Sequence, residues 1–97
     1  MNDHDRERWV GLYKAAVFEL ERSLVAGRIA NARTEILMRV EALRQIPGLH
    51  DKEQRAIEDA LNHLRFLARE DAEIAKQRKK VEAALERLRM IVEDRVA

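Results

Sequence analysis

From Ile57 to Val92 the chain repeats a single spacing without interruption. Ile57, Ala60, Leu64, Leu67, Asp71, Ile74, Arg78, Val81, Leu85, Leu88 and Val92 follow one another in alternating steps of three and four. That spacing is the 3.5-residue period of a coiled-coil seam, and it places all of these positions on one face of a helix. No glycine or proline falls within the run, and Arg69-Glu70-Asp71-Ala72-Glu73 at its middle consists of residues a helix tolerates. One continuous helix is expected over 51–94, on the order of 65 Å long at 1.5 Å per residue.

Two members of the seam are charged. Asp71 and Arg78 are one heptad apart and opposite in sign, and polar residues at seam positions cost stability while specifying register or partner number. Two arrangements satisfy them. They can approach each other across neighbouring layers of a paired seam, or Arg78 can lay its aliphatic stem along the seam and send its charge to water.

Upstream, Ile46-Pro47-Gly48-Leu49-His50-Asp51 is the clearest punctuation in the chain. Proline disfavours helical geometry in the residue before it, and glycine accepts the left-handed turn that ends a helix. Asp51 is then the expected N-cap of the long helix, with Gln54 three residues on in capping-box position. The arms on either side of this turn are nearly equal, as an antiparallel hairpin requires.

The first arm changes face. Val10, Tyr13, Val17, Leu20 and Leu24 form one stripe, with Trp9, Leu12 and Ala16 beside it; Ile29, Ala32, Ile36, Val40 and Leu43 form another. The second stripe is displaced by two residues, about 200° around a helix. The slip falls on Val25-Ala26-Gly27-Arg28, where Gly27 can act as a C′ residue. The expected architecture is therefore all-α: three helices of about 4–26, 29–46 and 51–94 in an antiparallel hairpin or bundle, a single domain over 1–97. Gly27 is either a kink in a long bent hairpin or a full reversal that makes a short bundle. In the second case the far half of the last helix carries Ile74, Val81, Leu85, Leu88 and Val92 into solvent. The alternative is a compact four-helix bundle in which the last helix folds back near 69–73.

Composition narrows the function classes. The chain has 97 residues, no cysteine, three glycines and one proline, so neither a disulfide nor a thiolate metal site can supplement a small core. Its 19 basic and 18 acidic residues leave a formal charge of +1, which lacks the basic excess of a nucleic-acid binder. Lys76, Arg78, Lys79 and Lys80 are the densest basic cluster, and no aromatic residue interleaves with them to stack on bases. A nucleic-acid accessory role is thus the weakest of the expected functions. The opening Met1–Arg8 is polar and mixed in charge, unlike a signal peptide, and no apolar run reaches the length of a membrane span. A cytoplasmic protein without membrane contact is expected.

No catalytic, cofactor or metal site is expected. His4, His50 and His63 lack the Glu-x-x-His spacing of a di-iron bundle, although Asp59 and His63 are one turn apart. Ser23, Thr34 and Tyr13 have no histidine and acid arranged around them, and Gly11, Gly27 and Gly48 are isolated. Phe18 and Phe66 lie off the stripes and suit either a second interface or a wide buried face.

Trp9 through Leu24 with the break at Gly27, and Leu64-Arg65-Phe66-Leu67-Ala68-Arg69-Glu70 running into Val81-Glu82-Ala83-Ala84-Leu85-Glu86-Arg87-Leu88, form a pattern that resembles the flagellar export chaperones of the FlgN/FliT kind. The resemblance implies a small cytoplasmic all-helical protein that holds an amphipathic segment of an export substrate in a helical groove. From the residues themselves, the expected function is a non-enzymatic helical interaction module. Its candidate contact residues are Ile74, Val81, Leu85, Leu88 and Val92, covered by a second copy or by a helical partner protein.

Overall fold

A computed structural model describes the backbone of residues 3–96 and the side chains of residues 6–94. Met1, Asn2, Ala97 and the side chain of His4 lie outside the described residues. The chain is all-α, with α1 at Asp3–Val17, α2 at Arg22–Gln45 and α3 at Asp51–Val96. Cross-helix bonds give the directions. Arg8 of α1 meets Glu35 in the second half of α2, and Arg28 in its first half meets Glu19 just beyond α1. Trp9 and Tyr13 of α1 reach Glu53 and His63 of α3 in the same order. The helices therefore run up, down and up, with α1 parallel to α3.

The core is contributed by all three helices. Trp9 and Ala16 enter it from α1, Val25, Ile29, Ala32, Ile36 and Leu43 from α2, and Ile57, Ala60 and Leu64 from α3. The buried positions of α2, including Arg39, follow steps of four and three, so they form one stripe from Val25 to Leu43. Ile36 and Leu64 are the largest side chains with essentially no exposed surface.

The reversal between α1 and α2 falls at residues 18–21, not at Gly27. Ala16 and Val25 are both buried, yet nine residues separate them, two and a half turns of helix. A continuous helix would present them on opposite faces, so only a reversal between them brings both to one core. Val25 already belongs to the α2 stripe, and the phase change lies upstream of it. Leu20 and Leu24, expected in the core, are exposed. Gly27 sits on the outer face inside α2, and a Cβ there would meet no neighbouring atom.

Glu19 shapes this turn. Its carboxylate accepts the Glu21 backbone N–H at 3.1 Å and the Arg28 guanidinium at 3.0 Å. Glu21 then adopts extended geometry at the N-cap of α2 with no side-chain cap of its own. These contacts, the Glu21 backbone bond foremost and then Arg28, hold the Glu19 carboxyl below its ordinary pKa.

At the second turn the expectation of a break at Pro47-Gly48 holds, and Gly48 has the positive φ of 110° that favours glycine. Asp51, however, is the first residue of α3 and not its N-cap. The Gln54 N–H bonds to the His50 carbonyl at 2.8 Å, so His50 holds the cap position. The His50 Nε2–H in turn donates to the Ile46 carbonyl at 3.0 Å, closing the loop.

α3 is unbroken through 69–73, so the four-helix alternative is not adopted. The consequence is an extended shape of 75 × 18 × 17 Å with a radius of gyration of 20.5 Å, against about 13 Å for a compact domain of this length.

Candidate interaction surface

The first half of α3 is held from two sides. Arg39 of α2 is buried and donates to Glu53 of α3 through both Nε, at 2.6 Å to Oε2, and Nη2, at 2.9 Å to Oε1. The Trp9 indole Nε1–H of α1 adds a third bond to Glu53 Oε2 at 3.2 Å. One carboxylate thus ties three helices together with charge-assisted, bidentate geometry. The Arg39 hydrogen bonds hold the Glu53 carboxyl below its ordinary pKa, with further lowering from the Trp9 bond and the Arg39 and Arg6 charges; burial opposes the shift without reversing it.

Three turns further on, the Tyr13 hydroxyl and His63 Nδ1 lie 2.7 Å apart, with their rings edge to face. His63 is half-buried here and joins α1 to α3. Among the described residues no buried side-chain nitrogen or oxygen lacks a partner. The sequence pattern missed Arg39. Its signal is a charged residue in step with Ile36 and Leu43, one position before Val40, the expected stripe member.

Beyond the bundle α3 stands alone. The start of α2 is the last element to meet it, at a small cleft lined by Arg22, Ser23, Asp71, Ile74, Ala75 and Arg78. Asp71 lines that cleft together with Arg22 and Ser23, the first residues of α2. Ile74 is half-buried in the same cleft, and from Ala75 through Asp94 every residue is exposed.

Of the five residues expected at the contact, Ile74 therefore lies at the root of the projecting segment, and Val81, Leu85, Leu88 and Val92 line it. Their exposures of 57, 60, 58 and 59 % are those of a helix face that nothing covers. Ala84 and Ile91 fall in step with them, at i+3 and i+10 from Val81. Together these six positions form a stripe about 120° wide at 100° per residue. An apolar strip of this length is unusual on a monomer's surface.

Other surfaces are less coherent. Phe18 and Leu20 project from the α1–α2 turn, and Phe66 projects from α3, so none of them joins the core. An open groove near the Pro47-Gly48 turn is lined by Val40, Leu43, Ile46, Ile57 and Leu61 among others. Its apolar residues are already half-buried or buried. Lys76, Arg78, Lys79 and Lys80 are exposed, but at 100° per residue they spread over more than half of the helix circumference. No single basic face results.

Among the described residues no group of three or more His, Asp or Glu side chains could hold a metal ion. Among the same residues no helix is long and apolar enough to cross a membrane. Comparison with protein-family models, curated proteins and solved structures returned no match.

Proposed function

We propose that this protein is a non-enzymatic helical interaction module whose docking face is the projecting half of α3. The observation that carries the reading is the run of exposed residues from Ala75 to Asp94, with Val81, Leu85, Leu88, Ile91 and Val92 on one side of it. Covering the exposed half of each of these aliphatic side chains contributes about 1 kcal/mol apiece. The bundle supplies the rigid base: Glu53, Arg39 and Trp9 fix the root of α3, so the projecting face is presented in a set direction.

A chaperone-like role is a second reading of the same face. It is supported by the stripe's width, which suits an amphipathic helix laid alongside it. In that reading the cover is a segment of a substrate protein.

The test is a double substitution, Leu85→Asp with Leu88→Asp. Neither residue touches the bundle core, so far-ultraviolet circular dichroism should show the bundle retained. The wild type should either exceed the 11.3 kDa monomer mass in sedimentation or bind a synthetic Leu/Lys heptad peptide. The variant should do neither. Identical behaviour of wild type and variant in both assays overturns the reading.

A further inference from the structure

Resting on that docking face, the distribution of charge along its flanks points to one occupant. We infer that the projecting segment pairs with the same segment of a second copy, antiparallel, about a two-fold axis near Leu85 and Glu86.

Charge is segregated along the segment. Its root carries Lys76, Arg78, Lys79 and Lys80, and its far part carries Glu82, Glu86, Glu93 and Asp94 against Arg87, Arg89 and Arg95, a small acidic excess. Parallel pairing sets each basic root beside the other and places Arg78, a seam position, against Arg78 of the second copy. Antiparallel pairing sets the basic root beside the acidic far part.

The register follows from the flanks. Viewed down the helix with Val81 at 0°, Arg78, Glu82, Arg89 and Glu93 fall between about 60° and 120°, along one edge of the stripe. In an antiparallel pair this edge meets its own copy. One alignment then sets Arg78 opposite Glu93 and Glu82 opposite Arg89 at the same time, because both pairs share the same midpoint. Two-fold symmetry doubles each pair.

In nearly the same alignment Leu85 packs on Leu88 and Val81 on Val92, giving four aliphatic layers, with the seam residue Arg78 beyond them at the end of the overlap. Along the other edge Lys80 comes beside Asp94. Arg89 already lies within 2.9 Å of Glu86 and 3.8 Å of Glu93 in its own chain, so its guanidinium sits on the flank that the second copy would meet. Asp71 lies outside the overlap and stays with the start of α2.

The test uses the full chain. Sedimentation equilibrium over a concentration series should show reversible association to twice the chain mass. Glu82→Arg alone and Arg89→Glu alone should each weaken the dimer about tenfold, since each sets like charges together twice. An equimolar mixture of the two variants should regain the wild-type association, because the heterodimer restores both pairs.

Direction is read independently. The chain has no cysteine, so spin labels on Lys79→Cys report one distance: roughly 20 Å along the axis for the antiparallel pair against on the order of 10 Å for a parallel one. A short distance, or no recovery on mixing, overturns the antiparallel dimer while leaving the docking face in place. A monomer at every concentration also overturns it, and the heptad-peptide assay then decides the docking face by itself. A dimer that Leu85→Asp with Leu88→Asp leaves intact overturns both.

Discussion

Arg39 and Glu53 meet across α2 and α3 in a two-point grip, 2.6 and 2.9 Å, with both side chains about nine-tenths buried. A buried pair of this kind is costly to break from one side, because the remaining charge keeps its burial and loses its partner. Arg39→Met should therefore destabilise the bundle by about 3 kcal/mol in urea unfolding. Arg39→Met together with Glu53→Met should recover most of that loss, since a matched apolar pair replaces the ion pair without an orphaned charge. An equally unstable double variant would show that the charges themselves stabilise the fold.

The same pair gives the stability a pH dependence with a definite sign. The Glu53 carboxyl is lowered in the folded protein, chiefly by Arg39, so the folded state binds fewer protons than the unfolded chain in the acid range. Stability from this group is fully present above the unfolded carboxyl value, about 4.3. It is lost as pH falls through the lower folded value. Glu19 is shifted in the same direction and adds to the same acid slope. Glu53→Gln should flatten the slope of unfolding free energy between roughly pH 5 and 2 and leave the slope above pH 6 unchanged. An unaltered acid slope would remove Glu53 as its source.

Gly27 lies inside α2 without a positive φ and with open space around a Cβ. Gly27→Ala should raise stability by about 0.5–1 kcal/mol, the cost of glycine in a helix interior. Were Gly27 a helix-terminating residue in left-handed geometry, the same change would destabilise. The sign of the shift in thermal midpoint decides between the two.

Ile36 and Leu88 both belong to apolar helix faces but differ fully in burial. Ile36→Ala should cost about 3 kcal/mol of bundle stability through the cavity it leaves. Leu88→Ala should leave monomer unfolding within about 0.5 kcal/mol of wild type and weaken association instead. A helical segment with no packing partner lacks the tertiary contacts that supply most helical stability. Amide hydrogen exchange over 80–94 should accordingly be fast in dilute protein and slow at high concentration. Concentration-independent exchange would detach helix stability from pairing.

The three helices, the long unbroken α3 and the exposed stripe were legible because each rests on local periodicity or on Pro47-Gly48. The α1–α2 turn was not. Phe18-Glu19-Leu20-Glu21 contains no glycine or proline, and its hydrogen bonds come from a side chain, Glu19, completed by Arg28 nine residues away. A phase change between stripes signals a reversal, but its location depends on which leucines are buried. Leu20 and Leu24 suit a core by type and are exposed by topology. The Trp9–Glu53–Arg39 cluster was hidden for the same reason, since its members come together only after three helices have packed.

The continuity of α3 across the edge of the bundle has a mechanical consequence. A helix clamped over its first turns and free beyond them is a cantilever: whatever seats on the free length inherits the orientation of the clamped length. With two such chains overlapping tail to tail, the bundles would stand at opposite ends of a rod roughly 120 Å long. Their outer faces would point away from each other, and the molecule would act as a spacer of fixed span.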